Sequence, residues 1–389
     1  MAGFLSSTCS ITRFRVIDEV SDELLLSVPD KFKQFAFQDI DDIPQESTFG
    51  WVNFDDMLDT AWRLSPPEKG EYITFSFRMD TRRISPAVLK KHLRVAIEEE
   101  TKKMRDIGKK FISRQQKLEI REQVMLRLRG RAMPVPEEFQ VVWNPQTGSV
   151  YLATTKGKVI DLFCEYFTRT LDLHLEQLAP YSLACNLLGE EAALQIDHLE
   201  PAQFVNQCCS GGSTDGMLGQ EFLTWLWYQS DTAPGAFTDS EGSPFAVSME
   251  QRIVVQGGEG ESIETATVSG VLSSLREAKL GLLTGKKVVQ ALARIEKDGM
   301  AWQSLIKAED FSIGSLRSPS VERDPDSDDM DALFLEKAYL VDLYLDMLDD
   351  LYRQFLHVRL APAQWSEEEV AVGKWITTST ANTVSTATL

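Results

Sequence analysis

A strand pattern that stops and later resumes limits how the first half of this chain can fold. In residues 72–79, Ile73, Phe75 and Phe77 alternate with polar neighbours in the period of two that is typical of a strand. The alternation returns at Phe139 and Val141. The residues between have helical spacing, so the sequence predicts a helical arm inserted between two strands of one body.

The inserted arm begins at Ser85-Pro86, where a hydroxyl precedes a proline at the first helical position. Apolar residues then recur with near-helical spacing as far as Leu128. A continuous helix of this length would be roughly 65 Å long at about 1.5 Å per residue. Gly108 and the weak apolar stripe around it indicate either a bend or two antiparallel helices. The thin apolar seam predicts that the arm projects from the body.

The net charge of the arm is opposite in sign to that of the whole chain. Between Arg82 and Arg131 there are sixteen lysines and arginines but six acids, about +10, whereas the whole chain carries −19. Six acids cannot pair sixteen cations, so a solvated helix with internal salt bridges is the less favoured interpretation. We predict contact with nucleic-acid phosphates. The predicted DNA-binding residues are Arg82, Arg83, Lys90, Lys91, Arg94, Lys102, Lys103, Lys109, Lys110, Arg114, Lys117, Arg127, Arg129, Arg131, Lys286 and Lys287.

The rest of the first half is predicted to mix strands and helices. Residues 11–16 predict a strand, and residues 21–35 predict a helix that Pro29 is expected to kink or split. A hairpin turns at 144–148. A helix at 157–178 and a strand at 181–188 are predicted to follow.

The second half is predicted to form another α+β unit with a helical extension. Its predicted elements are a flexible junction (207–216), an aromatic helix (221–229), strands at 248–256 and 262–269, a helix at 271–283, a strand or helix at 288–297 with strand favoured, an acidic linker (318–331), an amphipathic helix (334–355) and a disordered Thr/Ser-rich tail (377–389). The aromatic helix carries Trp225, Trp227 and Tyr228, which are expected to pack in a core or a subunit contact.

These elements predict an α+β fold with a mixed sheet and five regions. The regions are an N-terminal α+β body (1–84), the basic helical arm (85–133), the continuation of the body (134–206), a C-terminal α+β domain (207–318), and an acidic linker with an amphipathic helix and tail (319–389).

Composition and cysteine usage indicate the class of protein and its compartment. No stretch approaches the roughly 18 apolar residues that cross a bilayer, and the first residues lack a basic leader with an apolar core. The five cysteines are odd in number and lack C-x-x-C spacing, which is typical of reduced thiols. We therefore expect a cytoplasmic protein with no membrane partner.

Several short segments resemble known binding motifs but lack residues that those motifs require. Lys286-Lys287 lacks the phosphate-loop pattern, because Leu280 replaces the first glycine and Lys287 the Ser/Thr. Cys208-Cys209 has the wrong spacing for zinc. The acids at 326–331 fail the EF-hand pattern, and the four histidines are scattered. We expect no enzyme activity, no cofactor and no metal; a nuclease using scattered carboxylates would need Mg²⁺-dependent DNA cleavage to support it.

Five short segments carry a likeness to a known family. They are Gly50-Trp51-Val52, Arg82-Arg83-Ile84-Ser85-Pro86, the charged helix at 88–93, Leu128-Arg129-Gly130-Arg131-Ala132-Met133 ahead of the hairpin, and Thr284-Gly285-Lys286-Lys287-Val288-Val289. In order and spacing, residues 10–318 resemble the bacterial recombination-associated RdgC proteins. None of the segments is a catalytic signature.

The resemblance implies a ring-shaped, nucleoid-associated homodimer that encloses double-stranded DNA and restrains RecA-dependent recombination by blocking access. Arg131 matches an arginine that lines the hole, and Met133 matches an aromatic residue at the dimer's gate interface. Methionine still buries apolar surface there but gives up aromatic packing of roughly 0.5–1.5 kcal/mol.

The predicted function is therefore DNA binding without sequence preference. The alternative is a structural or partner-binding protein whose arm docks RNA or an acidic protein surface. A further hypothesis, based on the opposite charges within one chain, is that the acidic extension after Ser318 folds back onto the arm and competes with DNA. On the sequence alone, deletion of residues 319–389 with duplex affinity measured at low salt would test this hypothesis, and unchanged affinity would reject it.

Overall fold

The computed structural model describes residues 3–106, 111–202, 204, 213–233, 235, 237–258, 263–270, 275–321 and 329–381. The predicted α+β class is confirmed. The strands are Cys9–Val16 (β1), Ser47–Val52 (β2), Glu68–Lys69 (β3), Tyr72–Thr81 (β4), Val135–Asn144 (β5), Ser149–Leu152 (β6), Leu175–Gln177 (β7), Phe237–Thr238 (β8), Pro244–Gly257 (β9), Glu264–Gly270 (β10), Lys287–Lys297 (β11), Met300–Lys307 (β12) and Ile313–Arg317 (β13).

Ten helices accompany the strands in the described part of the chain. They are Asp22–Gln34 (α1), Pro86–Asp106 (α2), Arg114–Arg129 (α3), Gly157–Leu171 (α4), Pro180–Leu188 (α5), Glu190–Ile196 (α6), Thr214–Thr232 (α7), Leu275–Leu283 (α8), Met330–Arg359 (α9) and Pro362–Ala381 (α10).

A single sheet runs through both halves of the chain, in the order β10-β9-β11-β12-β13-β1-β6-β5-β4-β2. The named strands of the described residues pair antiparallel throughout, so the predicted mixed sheet is wrong and the sheet is antiparallel. The halves meet where Cys9 of β1 pairs with Leu316 of β13. The short strands β3, β7 and β8 pair beside this path, with β4, β1 and β9 respectively.

In the first half, aromatic side chains fill the space between the sheet and helices α1 and α4. Trp51 is fully buried, with its ring centroid 5.1 Å from that of Phe75 and 4.9 Å from that of Tyr166. Its Nε1 donates a hydrogen bond to Thr170 Oγ1 at 2.9 Å. The indole therefore keeps its one polar group bonded while it packs in the core.

In the second half, α7 and α9 pack together against the sheet. The rings of Phe222 and Tyr352 lie 5.1 Å apart, and Trp302 Nε1 of β12 donates to the Leu340 carbonyl at 2.9 Å. Trp225 and Trp227 are buried, so their predicted place in a core is confirmed.

Helix α9 also joins the two halves, because its side chains contact the first strands. Lys69 Nζ donates to Asp331 Oδ1 at 2.6 Å, and Tyr72 Oη donates to Asp342 Oδ2 at 2.5 Å. The apolar stripe predicted from Phe334 to Phe355 is buried. Deletion of residues 319–389 would remove this core element, so it cannot test whether the acidic extension competes with DNA.

Three predicted elements differ from the structure. The segment 181–188 is helical instead of extended, because Pro180 at the first helical position starts α5. The helix predicted over 157–178 ends at Leu171, where Asp172 adopts a left-handed conformation (φ 60°), and β7 follows. Helix α1 continues through Pro29 and is not split; Ser21 caps it by accepting from the Leu24 N–H.

Other differences lie at element ends. Residues 213–216 of the predicted junction belong to the capped start of α7, and residues 377–381 of the predicted tail belong to α10. Residues 207–212, 271–274, 322–328 and 382–389 of the predicted junction, helix, linker and tail lie outside the described residues. The hairpin and the strands predicted at 11–16, 248–256 and 288–297 are confirmed.

Candidate nucleic-acid interface

The inserted segment forms two helices, α2 and α3, that pack mainly on each other. Its two ends meet in the body, where Thr81 of β4 pairs with Val135 of β5. Within the two helices only Met104, Val124 and Leu128 are buried. The predicted alternative of two antiparallel helices therefore holds, and we call residues 83–133 the basic arm. Gly108, Lys109 and Lys110, at the predicted bend, lie outside the described residues.

Arg82 anchors the arm instead of facing solvent. Its side chain is buried, and Nη2 donates to the carbonyls of Ile40 at 2.6 Å and Asp41 at 2.9 Å. Nη1 donates to the Arg129 carbonyl at 3.0 Å and to the carbonyl of Ala132. These bonds hold both ends of the arm to the 40–43 loop. The structure thus places Arg82 away from the predicted DNA-binding surface and gives it a structural role.

Four other predicted cations have acidic neighbours. Arg83 lies 3.3 Å from Glu137, Arg94 lies 3.0 Å from Glu98, and Lys103 lies 3.5 Å from Glu100. Arg129 is paired with Glu46 at the foot of the arm. Arg83, Arg94 and Lys103 remain exposed, so these pairs are weak and compete poorly with a phosphate.

The other described cations of the arm are exposed and make no ion pair with any described residue. Seven of them were predicted, namely Lys90, Lys91, Lys102, Arg114, Lys117, Arg127 and Arg131. Arg105 and Arg121 share the same exposure and were not among the predicted residues, although both belong to the sixteen cations that define the segment. This set of nine is the unpaired positive surface of the arm.

Helical spacing aligns much of this surface. On α2, Lys90, Arg105, Lys91 and Lys102 fall within about 120° of the helix circumference, and buried Met104 lies outside this arc, about 40° beyond Lys90. On α3, Arg114, Lys117 and Arg121 follow one another at intervals of three and four, within about 60°. Each helix therefore presents its cations as a stripe and not as a scatter.

The lysine pair of the second half is remote from the arm. Lys286 Nζ lies 3.1 Å from Glu264, and Lys287 begins β11 as a half-buried residue paired with Gln256. Five strand positions separate β11 from β5, about 24 Å at the usual strand spacing. The structure does not bring Lys286 and Lys287 together with the foot of the arm.

Apolar side chains also lie on the surface of the arm. Phe111, Leu118 and Leu126 on its α3 side are exposed, as is Val95 of α2. Met133, between α3 and β5, keeps 76% of its surface exposed close in sequence to Arg131. A surface with both cations and apolar groups is able to contact a second macromolecule by charge and by burial.

Two further classes of site were sought in the described residues. No cluster of three or more histidine, cysteine or carboxylate side chains is arranged to hold a metal ion there. Within those same residues, no helix is both long enough and apolar enough to span a bilayer.

Comparison with known proteins adds no family assignment: no protein-family model matches the sequence, and no curated protein matches it either.

Proposed function

We propose that this protein binds double-stranded DNA through phosphate contacts from the basic arm, without selecting a sequence. The observation that carries the proposal is the unpaired positive surface of nine exposed cations on a hairpin of helices that packs mainly on itself. Such contacts position a protein on the duplex but read no bases. The acidic remainder of the chain favours the arm as the place where a polyanion binds.

Counterion release gives the proposal a quantitative signature. Each neutralised phosphate steepens the dependence of affinity on salt by a slope of about 0.9. If roughly six to ten phosphates are contacted, affinity falls by about 10³–10⁵-fold between 50 and 200 mM salt.

The resemblance to RdgC proteins extends the proposal to assembly and pathway. We propose a homodimer that encloses the duplex, associates with the nucleoid in the cytoplasm and modulates RecA-dependent recombination by blocking access. The exposed Met133 is the proposed contact between copies, and the nearby Arg131 is a proposed DNA contact. Solution mass with and without a short duplex tests the dimer.

The decisive experiment reverses charge on one stripe. Arg114→Glu, Lys117→Glu and Arg121→Glu are combined in one variant, in which glutamate keeps a high helix propensity. The matched control reverses Lys158, Arg276 and Arg317, three exposed body cations that have no ion pair among the described residues. We expect filter binding of duplex to weaken at least tenfold and its salt slope to flatten in the arm variant alone. Equal losses in both variants would contradict a specific role for the arm.

A second candidate function is supported by the exposed apolar groups Leu118 and Leu126 on α3. Together with the cations they suit an acidic protein surface, or RNA, as the partner. The same salt series with duplex, single strand and RNA separates the candidates. Salt-insensitive or absent duplex binding would favour the second.

A further inference from the structure

Phe111 is the most exposed of the large apolar side chains in the described part of the chain. It keeps 86% of its surface accessible, ahead of Leu26 at 83%. A phenylalanine ring in water forgoes the burial that usually stabilises it, so an aromatic residue held this far out suits a partner that covers it.

Phe111 lies just before the capped start of α3. Ser113 Oγ accepts from the Gln116 N–H at 3.2 Å, and Gln116 Oε1 accepts from the Ser113 N–H at 3.0 Å, which completes a capping box two residues after Phe111. Ile112 between them is half-buried. The ring therefore leaves the chain directly before a well-defined helix end, far from the foot of the arm.

The charge around this helix end is positive. The first turn of α3, all of whose residues are described, contains no acidic side chain. Arg114, Lys117 and Arg121 continue along one face of the helix from that end. An exposed ring beside a row of cations is complementary to duplex DNA, whose phosphates flank a stack of apolar base faces.

We propose that Phe111 is a wedge that inserts between adjacent base pairs while the α3 cations hold the flanking phosphates. This inference rests on the proposed function and adds a deformation of the DNA to it. Insertion unstacks one step and bends the duplex, and it is favoured at pyrimidine–purine steps because these are the most easily deformed.

The test uses the full-length protein and a short duplex with 2-aminopurine at a central TA step and a dye pair at its ends. We expect the wild-type protein to raise 2-aminopurine fluorescence and to shorten the end-to-end distance. Phe111→Ala should lose both signals and no more than about tenfold in affinity, with an unchanged salt slope. Phe111→Leu should keep part of the signal, since leucine also serves as a wedge.

Leu26→Ala is the matched control, because Leu26 is nearly as exposed as Phe111 but lies on α1 in the body. It should leave both signals intact. Binding of wild-type protein without a fluorescence rise, or an equal rise with Phe111→Ala, would overturn the wedge and leave the proposed function standing. Absence of duplex binding at low salt would overturn both. A change in the mass of the DNA-free protein on Phe111→Ala would assign the ring to a contact between copies instead.

Discussion

Arg13 on the first strand and Asp349 on α9 form a buried ion pair, with Nη1 and Oδ1 2.7 Å apart. The arginine side chain keeps 2% of its surface exposed and the aspartate 23%. Two charges so far apart in the sequence thus hold α9 against β1. Desolvation raises the pKa of Asp349 even though the arginine opposes the shift.

Loss of one partner of this pair should destabilise the fold. We expect Arg13→Met to lower the free energy of unfolding by about 3 kcal/mol, since it leaves the Asp349 carboxylate unpaired in a mostly buried site. Urea denaturation followed by tryptophan fluorescence measures the loss. The double variant Arg13→Met/Asp349→Leu should recover most of it. A single variant as stable as wild type would show that the pair contributes little.

Asp346, one turn before Asp349, should give the protein a pH-dependent stability. Burial, and then the charges of Asp349, Asp342 and Asp350, raise its pKa to about 6. A carboxyl group with a raised folded-state pKa costs stability when it ionises, so the cost is absent near pH 4 and complete above about pH 6.

The replacement Asp346→Asn should therefore stabilise the protein at pH 7 and have little effect at pH 4. Because Asp346 is partly exposed, we expect a gain of about 1 kcal/mol. Thermal unfolding at both pH values measures it, with Asp161→Asn on the exposed face of α4 as the control. A gain that is the same at both pH values would contradict the titration of Asp346.

Replacement of two glycines of α7 by alanine should change the stability of the protein in opposite directions. A Cβ on Gly219 would lie 1.7 Å from the Ala308 carbonyl oxygen, so the helix and the end of β12 would have to separate. We expect Gly219→Ala to cost at least about 3 kcal/mol. Gly216→Ala meets nothing closer than Ser213 Oγ at 3.4 Å and should stabilise by up to about 1 kcal/mol through helix propensity. Chemical denaturation of the two variants checks the contrast; similar effects would refute it.

Substitutions of Arg82 and Arg131 should have different effects, because Arg82 stabilises the fold whereas Arg131 is the proposed DNA contact. Arg82→Met strips hydrogen bonds from five carbonyls and should cost about 2–4 kcal/mol of stability. Arg131→Ala should leave stability within about 0.5 kcal/mol and lower the salt slope of duplex binding by about one. Unfolding curves and filter binding on both proteins test this; a stable Arg82→Met variant that binds DNA weakly would reverse the assignment.

The sequence alone could predict those elements in which apolar residues recur with a regular period. Residues 72–79 alternate cleanly because successive side chains of β4 point to opposite faces of the sheet, and Ile73, Phe75 and Phe77 share the face that packs in the aromatic core. The stripe from Phe334 to Phe355 predicts α9 for the same reason, since one face is buried along its length. Short apolar runs carry no such signal: the sequence predicts a strand at 181–188, yet Pro180 starts a helix there.

The candidate site could be predicted only as a region. A charge count identifies the arm, but it cannot separate Arg82, whose donors are used by carbonyls, from Arg131, which is exposed. Lys286 likewise forms an ion pair with Glu264, which the pairing of β10 with β9 and of β9 with β11 brings close to it. These distinctions arise from tertiary contacts that neither charge nor spacing encodes.

The junction between β1 and β13 sets an order of events during synthesis. Cys9 is translated 307 residues before Leu316, the residue of β13 with which it pairs. Until then one edge of the nascent sheet stays unmatched, and edges of this kind recruit other chains. The pairing that joins the halves therefore forms only after Leu316 has been translated, and until then β1 is open to pairing with other chains.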